Sequence, residues 1–150
     1  MIRAAFFALL VLVSTVAAQA AEVTVVAPAA ARAAMTAVIP SFERQSGQKI
    51  VMDYQDGDEL LAHAMKDERV DAVIAPVAPM GELARAYRIL PDTRRTLGRT
   101  APAPDAPQGA VLAFAALKGA DHEDAARALS AYLTLPETMA VLRRNGLAAP

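Results

Sequence analysis

Three short strand-like runs, each followed by a helical pattern, constrain this chain more than any other feature. Residues 22–27 (EVTVVA) read as a buried strand, and residues 49–54 (KIVMDY) and 70–75 (VDAVIA) as a second and a third strand. Met35, Val38, Ile39 and Phe42 fall on one helical face between the first two runs, and Leu60, Leu61, Ala64 and Met65 do so over 59–69. A third helix is expected over 81–90, with Leu83, Ala86, Tyr87 and Leu90 apolar. Strand–helix alternation of this kind implies a parallel sheet with helices on both faces. A fourth apolar run at 110–117 (AVLAFAAL) adds a strand, and a short edge strand fits at 95–99. The expected fold is therefore α/β, a single three-layer lobe around a mostly parallel sheet of about four or five strands.

Local signals set the expected element ends. Pro40 should kink or split the first helix. Asp58 is placed to cap the second helix, and Pro76 and Pro79 close the third strand. Asp121 should cap a helix with Glu123 and Asp124 in its first turn, burying Leu129, Tyr132 and Leu133. Pro136 opens the last helix and Gly146 closes it. Residues 91–109, rich in Arg and Pro, read as a connector.

The first twenty residues have a different purpose. Met1, Ile2 and Arg3 make a short basic start, and residues 4–18 are almost wholly apolar. Ala18 and Ala20 stand where a signal peptidase reads small residues, so cleavage is expected after Ala20, with Ala21 the next frame. The apolar run is too short for a comfortable membrane helix, which needs about 20 residues. The expected mature chain, residues 21–150, is exported to the periplasm and has no membrane span.

Composition narrows the chemistry. Basic and acidic residues number 15 and 16, which excludes a polyanion binder driven by bulk charge, and no nucleic-acid partner is expected. The absence of Cys excludes disulfides, Cys-ligated zinc and a thiol nucleophile. His63 and His122 lack a second His at ligand spacing, Ser41 lacks a paired base, and no G-x-S-x-G elbow occurs. No catalytic set, metal site or cofactor is expected. Arg94, Arg95 and Arg99 read as a solvated face, and Tyr54, Tyr87 and Tyr132 as core edges.

Ligands of open parallel sheets bind beyond the carboxyl ends of the strands, near helix N-termini, where free N–H groups favour anions. Two such places occur: residues 27–31 and residues 55–59. The candidate contacts are the backbone groups of Ala29, Ala30 and Ala31 and of Gly57 and Asp58. The second turn also carries Asp56, Asp58 and Glu59, whose charge opposes an anion; with Asp53 their spacing is not that of an EF-hand.

Residues 22–54 (EVTVVAPAAARAAMTAVIPSFERQSGQKIVMDY), 60–76 (LLAHAMKDERVDAVIAP) and 128–150 (ALSAYLTLPETMAVLRRNGLAAP) together resemble the periplasmic molybdate-binding proteins of ABC importers, within the type II solute-binding proteins. The shared pattern is a strand, an Ala-rich turn, a helix ending in Phe-Glu, a Gly and a second strand. A Leu-Ala helix before a third strand and a closing helix pair follow. The resemblance implies a periplasmic solute-binding protein that takes a small oxyanion and works with an ABC permease or, as one lobe, with a homodimer partner. The family has two lobes, so residues 91–109 stand where a second would be inserted. It holds its oxyanion with Ser hydroxyls at two helix starts, which align here with Ala30 and with Asp58 or Gly57. The alternative is an exported interaction module that kept the lobe, lost the ligand and binds a protein partner.

Overall fold

The computed structural model of the chain describes residues 20–67 and 69–150. The targeting expectation therefore falls almost wholly on residues 1–19, outside the described residues. Among the described residues no helix is long and apolar enough to cross a membrane.

The sheet has the order β2-β1-β3-β5-β4. Strand β1 (Glu22–Ala27) pairs in parallel with β2 (Lys49–Tyr54) on one side and with β3 (Ala72–Pro76) on the other. Strand β5 (Val111–Ala116) runs antiparallel to both β3 and β4 (Arg95–Arg99), so β1 to β4 share one direction and β5 alone runs back. The reason is the connection. Helical crossovers join β1, β2 and β3, whereas β5 follows β4 through an irregular loop at residues 100–110, and a hairpin-like return gives an antiparallel neighbour.

The chain moves outward from β1 to β2 and then back across β1 to β3. Right-handed crossovers in opposite directions place their helices on opposite faces. Helices α1 (Arg32–Ser46), α4 (Glu123–Tyr132) and α5 (Pro136–Arg144) cover one face, and α2 (Gly57–Lys66) and α3 (Val77–Arg85) cover the other. The strands alternate accordingly. Val25, Ile74, Leu112 and Phe114 enter the first core, while Val26, Val73, Ala113 and Ala115 enter the second. Alanine accounts for 36 residues of the chain, and Ala27, Ala72, Ala75, Ala115 and Ala116 are fully buried in the strands, where small side chains let helices pack close to the sheet.

Several element ends differ from expectation. Helix α1 is not split at Pro40, because Pro40, Thr36 and Ala37 are exposed and the carbonyl left without a donor faces solvent. Helix α3 begins at Val77 rather than 81, since proline is tolerated in a first helical turn, where N–H groups have no partner anyway. It ends at Arg85 because Tyr87 turns left-handed at φ 57° and Arg88 N–H closes onto Leu83 O (2.9 Å). The caps also move. The residue flanking α2 is Asp56, not Asp58, and the one flanking α4 is His122, not Asp121; neither makes a side-chain bond to its own helix. Pro136 and Gly146 delimit α5 as expected.

Much of the expected connector is built into the lobe. The Thr93 hydroxyl donates to Leu90 O (2.6 Å) and accepts the Ala116 N–H (2.9 Å), while Ser130 Oγ donates to Thr93 O (2.7 Å). Residues 95–99 form the edge strand, whose Arg99 exchanges backbone bonds with Ala148 (2.8 and 2.9 Å), so the C-terminal tail covers an edge that would otherwise be open. Residues 100–110, between β4 and β5, form no helix or strand.

Asp92, at the start of this segment, bonds Arg127 of α4, and that contact holds its carboxyl below the usual carboxylate range. A carboxylate whose pKa is lowered on folding adds stability above its unfolded pKa and loses it as pH falls through the folded one. Comparing Asp92→Asn with wild type in thermal melts from pH 6 to pH 2 should show a small deficit at pH 6. That deficit should disappear at the acid end.

Candidate functional site

The sequence of turns after β1, β2, β3 and β4 brings four segments to one edge of the sheet. They enclose a cleft of about 480 Å³. Pro28 and Ala30 come from the turn after β1, and Asp56 and Gly57 from the turn after β2. Pro76 and Pro79 come from the start of α3. The opposing wall is the loop after β4, through Thr100, Ala103, Asp105 and Ala106. The cleft lies beside the point where the connections out of β1 and β3 diverge, which is where an open α/β sheet leaves a crevice.

A short 3-10 turn, Ala29–Ala31, leads directly into α1. Its three N–H groups have different fates. Ala29 N–H donates to Asp56 Oδ1 (3.1 Å), and Ala31 N–H, which is buried, donates to Pro28 O (2.9 Å). Ala30 lines the cleft, and its N–H has no acceptor among the described residues. At α2, Gly57 lines the cleft in the first helical position and Asp58 follows, exposed; their N–H groups have no protein acceptor among the described residues either. Of the five backbone candidates, Ala30 and Gly57 line the cleft, Ala29 and Asp58 are exposed residues next to them in the chain, and Ala31 is buried.

The cleft has little other polar chemistry. Its one hydroxyl among the described lining is that of Thr100, already engaged: Oγ1 accepts the Ala110 N–H (2.9 Å) and donates to Ala101 O (3.1 Å). Two carboxylates, Asp56 and Asp105, face it from opposite walls, and no Lys or Arg lines it among the described residues. Basic side chains gather instead around a second depression at the far edge of the sheet, of about 430 Å³, where Arg69, Arg88 and Lys118 meet.

The other sequence candidates lie elsewhere. His63 Nδ1 is 3.4 Å from Asp53 Oδ2, a contact without hydrogen-bond geometry. Ser41 Oγ accepts from Arg44 (2.9 Å). Arg95 donates to the carbonyls of Asp92 and Arg94, and Arg99 to that of Gln108, so the arginines serve their own loops. Tyr132 packs on Phe42 at 5.3 Å, whereas Tyr87 is exposed. Tyr54 lies under the Arg32 guanidinium at 4.0 Å; burial raises its hydroxyl pKa, against the Thr36 hydrogen bond and the Arg32 charge.

Two residues escaped sequence reasoning. Asp56 was visible as part of an acidic turn, but nothing local showed that its carboxylate crosses 27 residues to Ala29. Asp71 stands at the entry to β3, nearly fully buried. Its Oδ2 accepts the Thr24 N–H (2.9 Å) and contacts His122 Nδ1 (3.2 Å), while Oδ1 accepts the His122 N–H (3.0 Å). It therefore supplies, from 51 residues away, the cap that Asp121 was expected to give. It lies at the far edge from the cleft, and His122 is accordingly part of this structural contact.

The sequence profile described as "Bacterial extracellular solute-binding protein" matches residues 23–111, more than half of the chain, and the chain belongs to that family. No match was found among curated proteins. A periplasmic molybdate-binding protein from Azotobacter vinelandii superimposes with a TM-score of 0.73 at 10% identity, covering 86% of this chain and 100% of that one. The substrate-binding domain of a putative molybdenum ABC transporter from Clostridium difficile gives 0.75 at 9% identity, covering 87% and 100%. A tungstate ABC transporter structure from Geobacter sulfurreducens gives 0.67 at 9%, covering 82% and 98%. Identities this low establish the shared fold, and the α/β lobe expected from the sequence is that fold.

Proposed function

We propose that this chain is the solute-binding component of an ABC importer and takes a small oxyanion of the molybdate class in the cleft at the carboxyl edge of its sheet. What supports this reading is that Ala30 and Gly57, from the turns after β1 and β2, both line the cleft, and that neither N–H has a protein acceptor among the described residues. Free N–H groups at helix starts favour a small anion. The molybdate and tungstate proteins that share the fold support the same class. The role is binding and delivery rather than catalysis, with export through residues 1–20 and a permease as the partner.

Residues 21–150 act as one lobe, and the loop at 100–110 forms the wall that a second lobe would otherwise supply. In an open cleft each N–H bond to a charged oxyanion is worth about 1.5–3 kcal/mol net. Three such bonds, set against about 4 kcal/mol or more lost on association, leave at most about 5 kcal/mol, which is affinity of about millimolar order. Tighter capture needs a second copy or the permease to close the site.

Thermal shift with molybdate, tungstate and sulfate tests the reading. With Kd near 1 mM, 10 mM oxyanion should stabilise the fold by about 1.4 kcal/mol, a rise of roughly 4 °C in Tm. Absence of any shift with all three anions at that concentration counts against the oxyanion class.

A further inference from the structure

We infer that Asp56 is the residue that sets the affinity of the cleft, because its carboxylate occupies the anion seat as an internal ligand that a solute must displace. Asp56 flanks α2, the position from which a side chain usually caps its own helix, yet it makes no such bond. Its Oδ1 instead reaches the Ala29 N–H at 3.1 Å, across the mouth and onto the turn that starts α1. An exposed acidic side chain that forgoes its own helix for the facing one occupies the place where two helix starts would meet an anion.

Two consequences follow for an incoming oxyanion. One amide donor is taken until Asp56 swings away, and the displaced carboxylate remains nearby as a like charge. Asp105 on the opposite wall adds to that repulsion, and the described lining offers no Lys or Arg to offset it. Only a full complement of amide bonds compensates for both, so Asp56 discriminates against anions that cannot use Ala29, Ala30 and Gly57 together.

This inference rests on the cleft being an oxyanion seat, and one experiment separates the two claims. Wild type, Asp56→Ala and Asp56→Asn are titrated with molybdate and with sulfate by calorimetry, and Ala29 amide exchange is followed by NMR without ligand. Asp56→Ala should bind molybdate at least ten-fold more tightly than wild type. Its free Ala29 amide should exchange faster. Asp56→Asn keeps an acceptor oxygen for Ala29 and loses the charge. A gain in both variants assigns the effect to charge, and a gain in Asp56→Ala alone assigns it to occupancy; either supports the inference. Equal molybdate affinity in all three overturns the role of Asp56 and leaves the oxyanion reading standing. No binding by any of the three up to 10 mM overturns both.

Discussion

Replacing Asp71 with Ala should lower stability by about 3–5 kcal/mol, the cost of leaving two part-buried amide donors without their charged acceptor. For a domain of this size that corresponds to a fall in Tm of roughly 10–15 °C. The carboxylate is 1% exposed and accepts N–H groups from β1 and from the start of α4, while touching the His122 ring. Deleting it leaves the part-buried Thr24 and His122 amides without their acceptor. Asp71→Asn is the informative companion. It retains one acceptor oxygen but turns an NH₂ group toward a backbone donor, so it should recover part of the loss and not all of it. Urea unfolding gives the magnitudes, and amide exchange at Thr24 and His122 localises them. A loss below 1 kcal/mol for Asp71→Ala would show that the three-way contact does not hold α4 to the sheet.

Gly109→Ala should have the next largest effect, about 2–4 kcal/mol. Gly109 has φ 72°, and a Cβ there would meet Thr100 O at 2.1 Å and Arg99 Cγ at 3.1 Å. Thr100 cannot retreat without losing its bonds to Ala110, where its N–H donates to Ala110 O (2.9 Å) and its hydroxyl accepts the Ala110 N–H (2.9 Å). Those bonds close the base of the loop that forms the outer wall of the cleft. The substitution should therefore open residues 101–108 to proteases and weaken solute binding along with stability. Gly119→Ala separates steric from conformational cost. Gly119 has φ 76° with nothing within 4 Å of the added carbon, so it should lose only about 1–2 kcal/mol. Equal effects at the two positions would show that backbone conformation alone, not the contact with Thr100, fixes the loop.

The parts of this protein legible in its sequence are those that depend on neighbours along the chain. The runs at 22–27, 49–54 and 70–75 became β1, β2 and β3: the apolar residues of β1 and β3 are buried in the middle of the sheet, while β2, at its edge, buries only Ile50, and the β-branched composition of all three is visible in any window of six residues. The apolar faces of α1 and α2 and the proline that opens α5 follow from local periodicity and backbone chemistry in the same way. The positions of the two turns that could receive an anion also follow, since a parallel sheet places every strand–helix turn at its carboxyl edge.

What only the tertiary structure decided are the pairings of carboxylates and the direction of β5. Three acidic residues in the turn at 56–59 are equivalent in sequence, and the structure selects Asp56 because it alone bonds Ala29. Asp121 is a plausible cap by position, yet Asp71 takes the role, since a buried acceptor held by the sheet is already in place beside the helix start. An apolar run such as 111–116 is equally content in either direction, because its side chains alternate between the two cores whichever way it points. The loop from β4, and not the strand's own residues, sends it back. Local sequence determined which segments become strands and helices, while contacts between residues tens of positions apart decided which polar groups meet, because hydrogen bonds are short and directional and hydrophobic burial is neither.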